Sequence, residues 1–567
     1  MSGTAPLSED DGSATNPFSS GFFEARLTSN DDAPRAEPTN REPLSAPIAI
    51  QDLSLSEIPA GAENARLVIS PRGLPPLDDS DSEALMPFGH GELLAVLQSS
   101  KSAWFSLTLA ADLQCTFYYD PASDNLVLRN SSRQPIQIGP IQDDDGTAAD
   151  PSLCTIEYRD VHLVSPGPWR IYSADHAVLV DFLVLRRRYL LETQAGGTQA
   201  GSKRKDVPSI EAPAKRHRIE AESIDQSIVL ISKPPNNPGT ETPQLELVRA
   251  GNPLINLQPG QAMFITTPGQ APPASKEHSN KGVVASSVQD TSESYSLLHM
   301  RDIASTKGFA SVFSARHGVF GDTAVKVIRT KQASQYSYIP TMAQNWKHEE
   351  QILRKVKHPS IIRFFGSDAR LYSIYMEHLP FPDLNAWRNR PHDHYFTGTV
   401  DDAECILRDM ASALEYLHRQ NIQHNDIKPG NILYDRDRGP VLIDFGLASL
   451  HGGQLCNGGT PWYVPREFID DLQRGPKSDV FALGVTMLYL LRRTPLPDVT
   501  QRGWIIYKAP RDSSETTLME AWLSKVLAMR AELNGNSHIE SLVSDMLSPS
   551  PRDRKSAREI AEAMLQG

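Results

Sequence analysis

His424-Asn425-Asp426-Ile427-Lys428-Pro429-Gly430-Asn431, followed by Asp444-Phe445-Gly446, is the stretch on which the reading of this chain turns. An acid, a lysine and an amide fall within six residues, and a second acid follows thirteen residues after the amide. A surface loop with scattered polar residues would explain either group alone, but not both in this order and spacing. Just upstream, Glu404 to His418 places Ile406, Leu407, Met410, Leu414 and Leu417 on one face, so an amphipathic helix leads into the stretch.

The two groups resemble the catalytic loop, H-R-D-x-x-x-x-N, and the metal-binding D-F-G of eukaryotic protein kinases. The resemblance implies phosphoryl transfer, which relies on positioning and charge neutralisation more than on covalent chemistry. It assigns Asp426 to the proton of the attacking hydroxyl and Lys428 to the transferring phosphoryl group. Asn431 and Asp444 would hold magnesium, a hard cation that prefers oxygen ligands. Lys428, two places after the base, favours serine/threonine over tyrosine kinases.

The resemblance runs from Tyr295 to the end of the chain, with its motifs in order. Residues 305–312 fall where kinases carry G-x-G-x-x-G-x-V. Here the glycine positions hold Ser305, Lys307 and Ala310, and Gly308 is one place off. Glycines let backbone amides approach phosphates closely, so this departure weakens the expected grip on nucleotide. Phe309 and Val312 still suit a lid, and Lys307 either adds charge near the phosphates or points to solvent. Lys326, in Thr323-Ala324-Val325-Lys326, would hold the α- and β-phosphates, paired with Glu349 from a helix spanning Trp346 to Lys357. Glu350 is the competing partner by position. Ala324 and Val312 would cover the adenine and Leu433 would lie beneath it. Met376 would be the gatekeeper, Glu377 and Leu379 would bind adenine through their backbones, and Asp383 would reach the ribose or a basic substrate residue. Thr460, in Gly459-Thr460-Pro461-Trp462-Tyr463, would bond Asp426 and Lys428. The family's A-P-E is altered to Pro465-Arg466-Glu467, with Arg554 as the expected partner of Glu467. Asp479 and Gly484 fit the helix that carries D-x-W-x-x-G, with Phe481 for the tryptophan. Gly430 stands where arginine-directed kinases often have glutamate, which implies no strong preference for arginine three residues before the target.

At 567 residues the chain exceeds one ordinary core. Its 43 prolines, concentrated outside the C-terminal half, predict disordered linkers between folded pieces. A net charge of −13 argues against whole-protein nucleic-acid binding. The four cysteines form no C-x-x-C pair, which fits a reducing compartment. The N-terminus shows no secretory signal, and the longest apolar run, Val480 to Leu491, falls short of a membrane span.

Composition predicts that residues 1–90 are mostly disordered, with Leu67-Val68-Ile69 a short apolar island. Residues 91–190 read as a β-rich domain: alternating Phe105 to Leu109, then Cys115 to Tyr119, Asn125 to Arg129 and further short strands to Leu185. This architecture is similar to that of phosphopeptide-binding forkhead-associated domains. Their Gly-Arg and Ser-x-x-His signatures are absent, so the likeness stops at architecture, and the expectation is an adaptor or autoregulatory domain of unknown ligand. Residues 191–243 read as a basic linker. Lys203-Arg204-Lys205 and Lys215-Arg216-His217-Arg218 in it resemble a bipartite nuclear-import signal, the alternative being a solvated charge run. Residues 244–290 read as short strands and linker, and 291–567 as the kinase domain.

The expected fold is therefore α+β: a bilobal protein kinase preceded by a small all-β, sandwich-like domain and disordered linkers. The expected function is a serine/threonine kinase using ATP and Mg2+ on protein substrates. Expected partners are a regulator of the β domain and a nuclear-import carrier, with neither membrane nor nucleic acid, in nucleus and/or cytoplasm. A pseudokinase scaffold, binding partners through the N-terminal β domain, is the rival reading, supported by the altered glycine loop and the Pro465-Arg466 change and opposed by the set Lys326, Glu349, Asp426, Asn431 and Asp444.

Overall fold

Alternation shapes the first folded region. In Trp104–Ala110 every second residue, Phe105, Leu107 and Leu109, is buried, as a strand with one face on a core requires. The structure is a computed structural model describing residues 64–70, 85–88, 93–110, 112–141, 153–187, 190–195, 230–232, 245–247, 252–267, 293–306, 310–328, 336–390, 392–450, 458–471, 474–533 and 537–566. It divides into two compact units. One contains Thr39–Trp346 with Phe365–His378, and the other contains Lys347–Phe364 with Leu379–Gly567.

The first unit opens with a β-sandwich. One sheet runs, in spatial order, Leu85–Phe88, Leu93–Leu97, Ala65–Ile69, Val178–Val184, Gly167–Ser173, Ile136–Pro140 and Cys154–Ile156. The other runs Trp104–Ala110, Leu113–Tyr119, Leu126–Asn130 and Val161–Val164. Inward side chains of the two sheets interdigitate: Phe117 stacks on Phe105 at 5.0 Å and meets Phe182 of the facing sheet edge-on at 5.3 Å. The boundary drawn at residue 90 needs correction. Ala65–Ile69 is an inner strand, paired with Val178–Val184 on one side and Leu93–Leu97 on the other, and all five residues are buried. A strand buried on both faces has no polar alternation, so its pattern resembles any short apolar island.

The same unit carries a seven-stranded sheet in the order Leu190–Ala195, Gln261–Thr266, Tyr295–Thr306, Ala310–His317, Gly321–Ile328, Ser373–Glu377 and Phe364–Asp368. This corrects the linker boundaries. Leu190–Ala195 and Gln261–Thr266 pair with each other, and the latter pairs with Tyr295–Thr306. They extend the sheet of the kinase-like half rather than completing the sandwich. Only residues 185–189 separate the sandwich's Val178–Val184 from that sheet, so the basic stretch does not join the two folds. The basic clusters themselves, at 203–205 and 215–218, lie outside the described residues, as do Lys307, Gly308 and Phe309.

The second unit is mainly helical. Val400–Arg419 begins with a capping box: the Asp402 amide donates to Thr399 Oγ1 at 3.2 Å, and the Thr399 amide donates to Asp402 Oδ2 at 2.7 Å. Its apolar face, including Ile406, Leu407, Met410, Leu414 and Leu417, is buried. Pro476–Leu490 is buried from Ser478 onward, as its near-continuous apolar sequence requires. A Cβ at Gly484 would stand 3.0 Å from Leu547 Cδ2, so glycine permits the close approach of the His538–Met546 segment. Arg554, fully buried, donates to Glu467 at 2.7 and 3.2 Å. Among the described residues no helix is long and apolar enough to cross a membrane.

Candidate active site

The loop after Val400–Arg419 is shaped by one buried carboxylate. Asp479 accepts from the backbone N–H groups of His424 (2.9 Å) and Asn425 (2.8 Å) and from His418 Nε2 (3.0 Å). Burial opposes its charge, but the hydrogen bond from His418 and the backbone donors outweigh it and hold its carboxyl below the usual range. His424 is buried and packs edge-on against Phe445 at 4.8 Å. The Asp426 N–H donates to His424 Nδ1 (3.3 Å), so Nε2 carries the proton and donates to the Ile443 carbonyl at 3.1 Å. Burial pushes the His424 pKa down, which keeps the ring neutral in this role.

Asp426, Lys428, Asn431 and Thr460 are brought together. Thr460 Oγ1 donates to Asp426 Oδ1 (2.8 Å) and accepts from Lys428 Nζ (2.7 Å). Lys428 Nζ also lies 2.8 Å from Asp426 Oδ2, and Asn431 Nδ2 donates to that oxygen at 2.9 Å. Burial would raise the Asp426 pKa, but the Lys428 ammonium and the hydrogen bonds from Lys428 and Thr460 hold it below the ordinary carboxylate value. Burial likewise opposes the charge on Lys428, and Asp426 overcomes it, leaving that pKa raised. Both groups are therefore ionised and in contact.

The segment following Asp444 is tied to this loop by hydrogen bonds from Asn425 and, from the neighbouring helix, His348. Asn425 Nδ2 donates to the Leu447 carbonyl (3.0 Å) and to Ser449 Oγ (2.8 Å). His348 Nε2 donates to the Ala448 carbonyl at 2.6 Å. Asn425 and Asp444 adopt φ of 65° and 63°, a region that costs a non-glycine residue energy and persists where contacts over-determine it. Gly459, at φ 125°, passes so close to Arg474 that a Cβ would lie 2.9 Å from Nη1, while that nitrogen donates to the Asn425 carbonyl at 2.9 Å. The sequence reading gives none of these contacts to Asn425, His348 or Arg474. Only the unusual Asn425, in place of the family's arginine, signals that the loop is held differently.

In the sheet, register places Val312 opposite Lys326 and Lys326 opposite Ile374, while Ala324 faces Met376 and Ala310 faces Ile328. Residues two apart share a face, so Ala310, Val312, Ala324, Lys326 and Met376 lie on one side. The other side carries Phe313, Val325, Val327 and Tyr375 into the core. Ser305 sits in the Tyr295–Thr306 strand opposite Ser311, and Glu377 opposite Thr323. In the helical unit, Asp383 bridges to Leu433, Leu379 is half-buried, and burial raises the Asp383 pKa. Glu349 and Glu350 are both buried on Ile339–Lys355, a helix that starts earlier than the Trp346 read from the sequence. Glu350 is engaged by Arg354 and, at 3.3 Å, by Lys347 of its own helix.

The oxygen donors suit a hard cation. Asn431 spends its amide nitrogen on the Asp426 carbonyl (2.8 Å) and carboxylate (2.9 Å), so Oδ1 is the atom it could offer a cation. Asp444 is exposed and presents a carboxylate. Two oxygen ligands plus substrate phosphates are what magnesium takes.

Comparison with known proteins agrees with this geometry. The protein kinase domain family matches residues 307–565. Human "Putative serine/threonine-protein kinase PRKY" is 34% identical over 194 residues, covering 31% of this chain and 67% of that one. Mouse "Hormonally up-regulated neu tumor-associated kinase" is 33% identical over 199 residues, covering 33% of this chain and 26% of the relative. "Serine/threonine-protein kinase PLK4" of Drosophila willistoni is 27% identical over 280 residues, covering 48% and 32%. The chain thus spans about a quarter to a third of the length of these last two relatives. With the loop geometry above, these matches place the chain among the eukaryotic serine/threonine protein kinases, its catalytic domain in the C-terminal half.

Proposed function

We propose that the chain transfers the γ-phosphate of ATP to serine and threonine hydroxyls of protein substrates. The contact of Asp426 with Lys428, Thr460 and Asn431 carries this reading. Asp426 takes the proton of the substrate hydroxyl as the oxygen–phosphorus bond forms and the β–γ bridging bond breaks, its electron pair leaving with ADP. Lys428 balances charge on the transferring group, and Thr460 holds base and lysine in register. Lys326 is assigned to the nucleotide phosphates and Glu349 to orienting Lys326. Asn431 and Asp444 would hold magnesium, which supplies neutralisation of phosphate charge when bound. Lys428, two places after the base, supports serine and threonine over tyrosine as acceptors.

The pseudokinase reading has two observations in its favour: Ser305, Lys307 and Ala310 at glycine positions, and Pro465-Arg466 in place of the family's residues. The glycine positions shape nucleotide affinity, whereas the loop residues carry the transfer itself. The test is to incubate the full chain with labelled ATP, magnesium and mixed protein substrates, then locate the label by mass spectrometry. Label on serine and threonine supports the proposal; label on tyrosine alone, or none, ends it. We further infer carrier-mediated nuclear import from the clusters at 203–205 and 215–218. Alanine at Lys203, Arg204, Lys205, Lys215, Arg216 and Arg218 should move a fluorescent fusion to the cytoplasm; an unchanged distribution would return those charges to a solvated run.

A further inference from the structure

The polar contacts between the sandwich and the seven-stranded sheet converge on one turn, residues 369–372. The Ala369 N–H donates to the Ser100 carbonyl at 2.8 Å, and Tyr372 Oη donates to the Tyr119 carbonyl at 2.7 Å. Ser100 Oγ reaches Glu293 (3.1 Å), whose carboxylate lies 3.2 Å from the buried Arg370 guanidinium. Arg370 in turn grips Asp368 at 2.8 Å and Thr267 Oγ1 at 3.1 Å. Tyr372 is fully buried and sits at φ 46°. A bulky residue stays in that region only where its surroundings over-determine it, and here the sandwich supplies part of that constraint.

The turn reaches the helix Ile339–Lys355. Tyr372 stacks on Trp346 (6.2 Å between centroids, 25° between planes), and Trp346 Nε1 donates to the Ser373 carbonyl at 3.0 Å. A second contact is direct: Gln344 Nε2 donates to Tyr118 Oη at 3.4 Å. Tyr118 and Tyr119 are the last two residues of one sandwich strand, Leu113–Tyr119. One touches the helix, and the other anchors the tyrosine on which the helix's tryptophan rests. Glu349 follows Trp346 by three residues in the same helix.

We propose that Tyr372 is a positioning residue for phosphoryl transfer, through which the N-terminal sandwich sets the helix that carries Glu349. The sandwich is then a fixed working part of the catalytic domain rather than a detachable adaptor. This rests on the phosphotransfer reading, in which Glu349 orients Lys326. Tyr372 acts through a neutral hydrogen bond and ring stacking, beside the Glu293–Arg370–Asp368 ion pairs that hold the same turn.

The test uses the full chain and Tyr372→Phe, which keeps the ring on Trp346 and deletes only the donor to Tyr119. Loss of that bond loosens the turn. The expected result is a fall in kcat on the order of tenfold, the size of one buried hydrogen bond, with KM for peptide unchanged. Amide hydrogen exchange, read without nucleotide, should quicken in residues 339–349 and not in the sandwich core. Gln344→Ala, on the partly exposed second contact, should give the same pattern at smaller size and serves if the first variant does not fold. Wild-type kcat and wild-type exchange in both variants would overturn the inference. So would exchange that quickens evenly across the chain, since that is general destabilisation. A wild-type chain that transfers no phosphate removes the phosphotransfer reading, while faster exchange confined to 339–349 in the variants would still uphold the mechanical link.

Discussion

The amide of Asn425 donates to the hydroxyl of Ser449 at 2.8 Å, so a neutral side chain beside the catalytic-loop acid holds the start of the following segment. Kinases switched on by loop phosphorylation keep an arginine at the Asn425 position, and the arriving phosphate neutralises it. Here that position holds the uncharged Asn425, which with His348 already fixes Leu447, Ala448 and Ser449. The full chain should therefore be active after phosphatase treatment that leaves Ser449 and Thr460 bare by mass spectrometry. Ser449→Ala should change kcat by less than about threefold, the scale of one neutral hydrogen bond. A collapse in rate restored by rephosphorylation would show that a phosphate is needed after all.

The Asp426–Lys428 pair sets a pH expectation. The Asp426 pKa is held below its ordinary value, so its ionised form stabilises the fold above that ordinary value and is lost as pH falls through the folded one. The Lys428 pKa is raised, so its contribution is full below the ordinary lysine value and is lost as pH rises through the folded one. Between about pH 5 and 10 neither group titrates. Lys428→Ala removes the charge and hydrogen bond that most oppose burial of Asp426, leaving the donors of Thr460 and Asn431. The acid limb of kcat should move toward neutral pH relative to wild type, and kcat should fall about a hundredfold. A variant profile that overlays the wild type in shape would separate Lys428 from the ionisation of Asp426.

The buried Arg554 and the half-buried Glu467 form a pair that is costly to break by halves. Arg554→Ala strands Glu467 and should cost about 3–5 kcal/mol. In a unit of this size that lowers the melting temperature on the order of 10 °C, read by circular dichroism. Replacing both partners with Arg554→Met and Glu467→Leu should cost less than the single change. A single variant that melts with the wild type would mean that other contacts carry the Pro465-Arg466-Glu467 segment.

The catalytic half is legible in the sequence because its chemistry dictates residue types at short range. Asp426, Lys428 and Asn431 fall within one loop, and Thr460 and Asp444 follow at family spacing. The Val400–Arg419 helix announces itself through its apolar period. Ala65–Ile69 is not legible, because a strand buried on both faces lacks alternation. Leu190–Ala195 finds its partner Gln261–Thr266 beyond the basic clusters, with no local signal to join them. The bond between Tyr372 and Tyr119 spans 253 residues, and only the folded chain brings the two together. Asp479 reads as one residue of a helix, and its grip on the His424 and Asn425 amides depends on tertiary packing.

Phosphoryl transfer itself is tested most directly by one comparison: the rate of γ-phosphate transfer by the full chain against that of Asp426→Asn, with nucleotide affinity measured alongside. Asn keeps the shape of the side chain and removes the proton acceptor. The expected result is a fall in kcat of about 10²–10⁴-fold, the usual worth of a positioned base, with nucleotide affinity unchanged. Equal transfer by the two proteins would mean that Asp426 is not the base and that the loop from His424 to Asn431 does not carry the reaction.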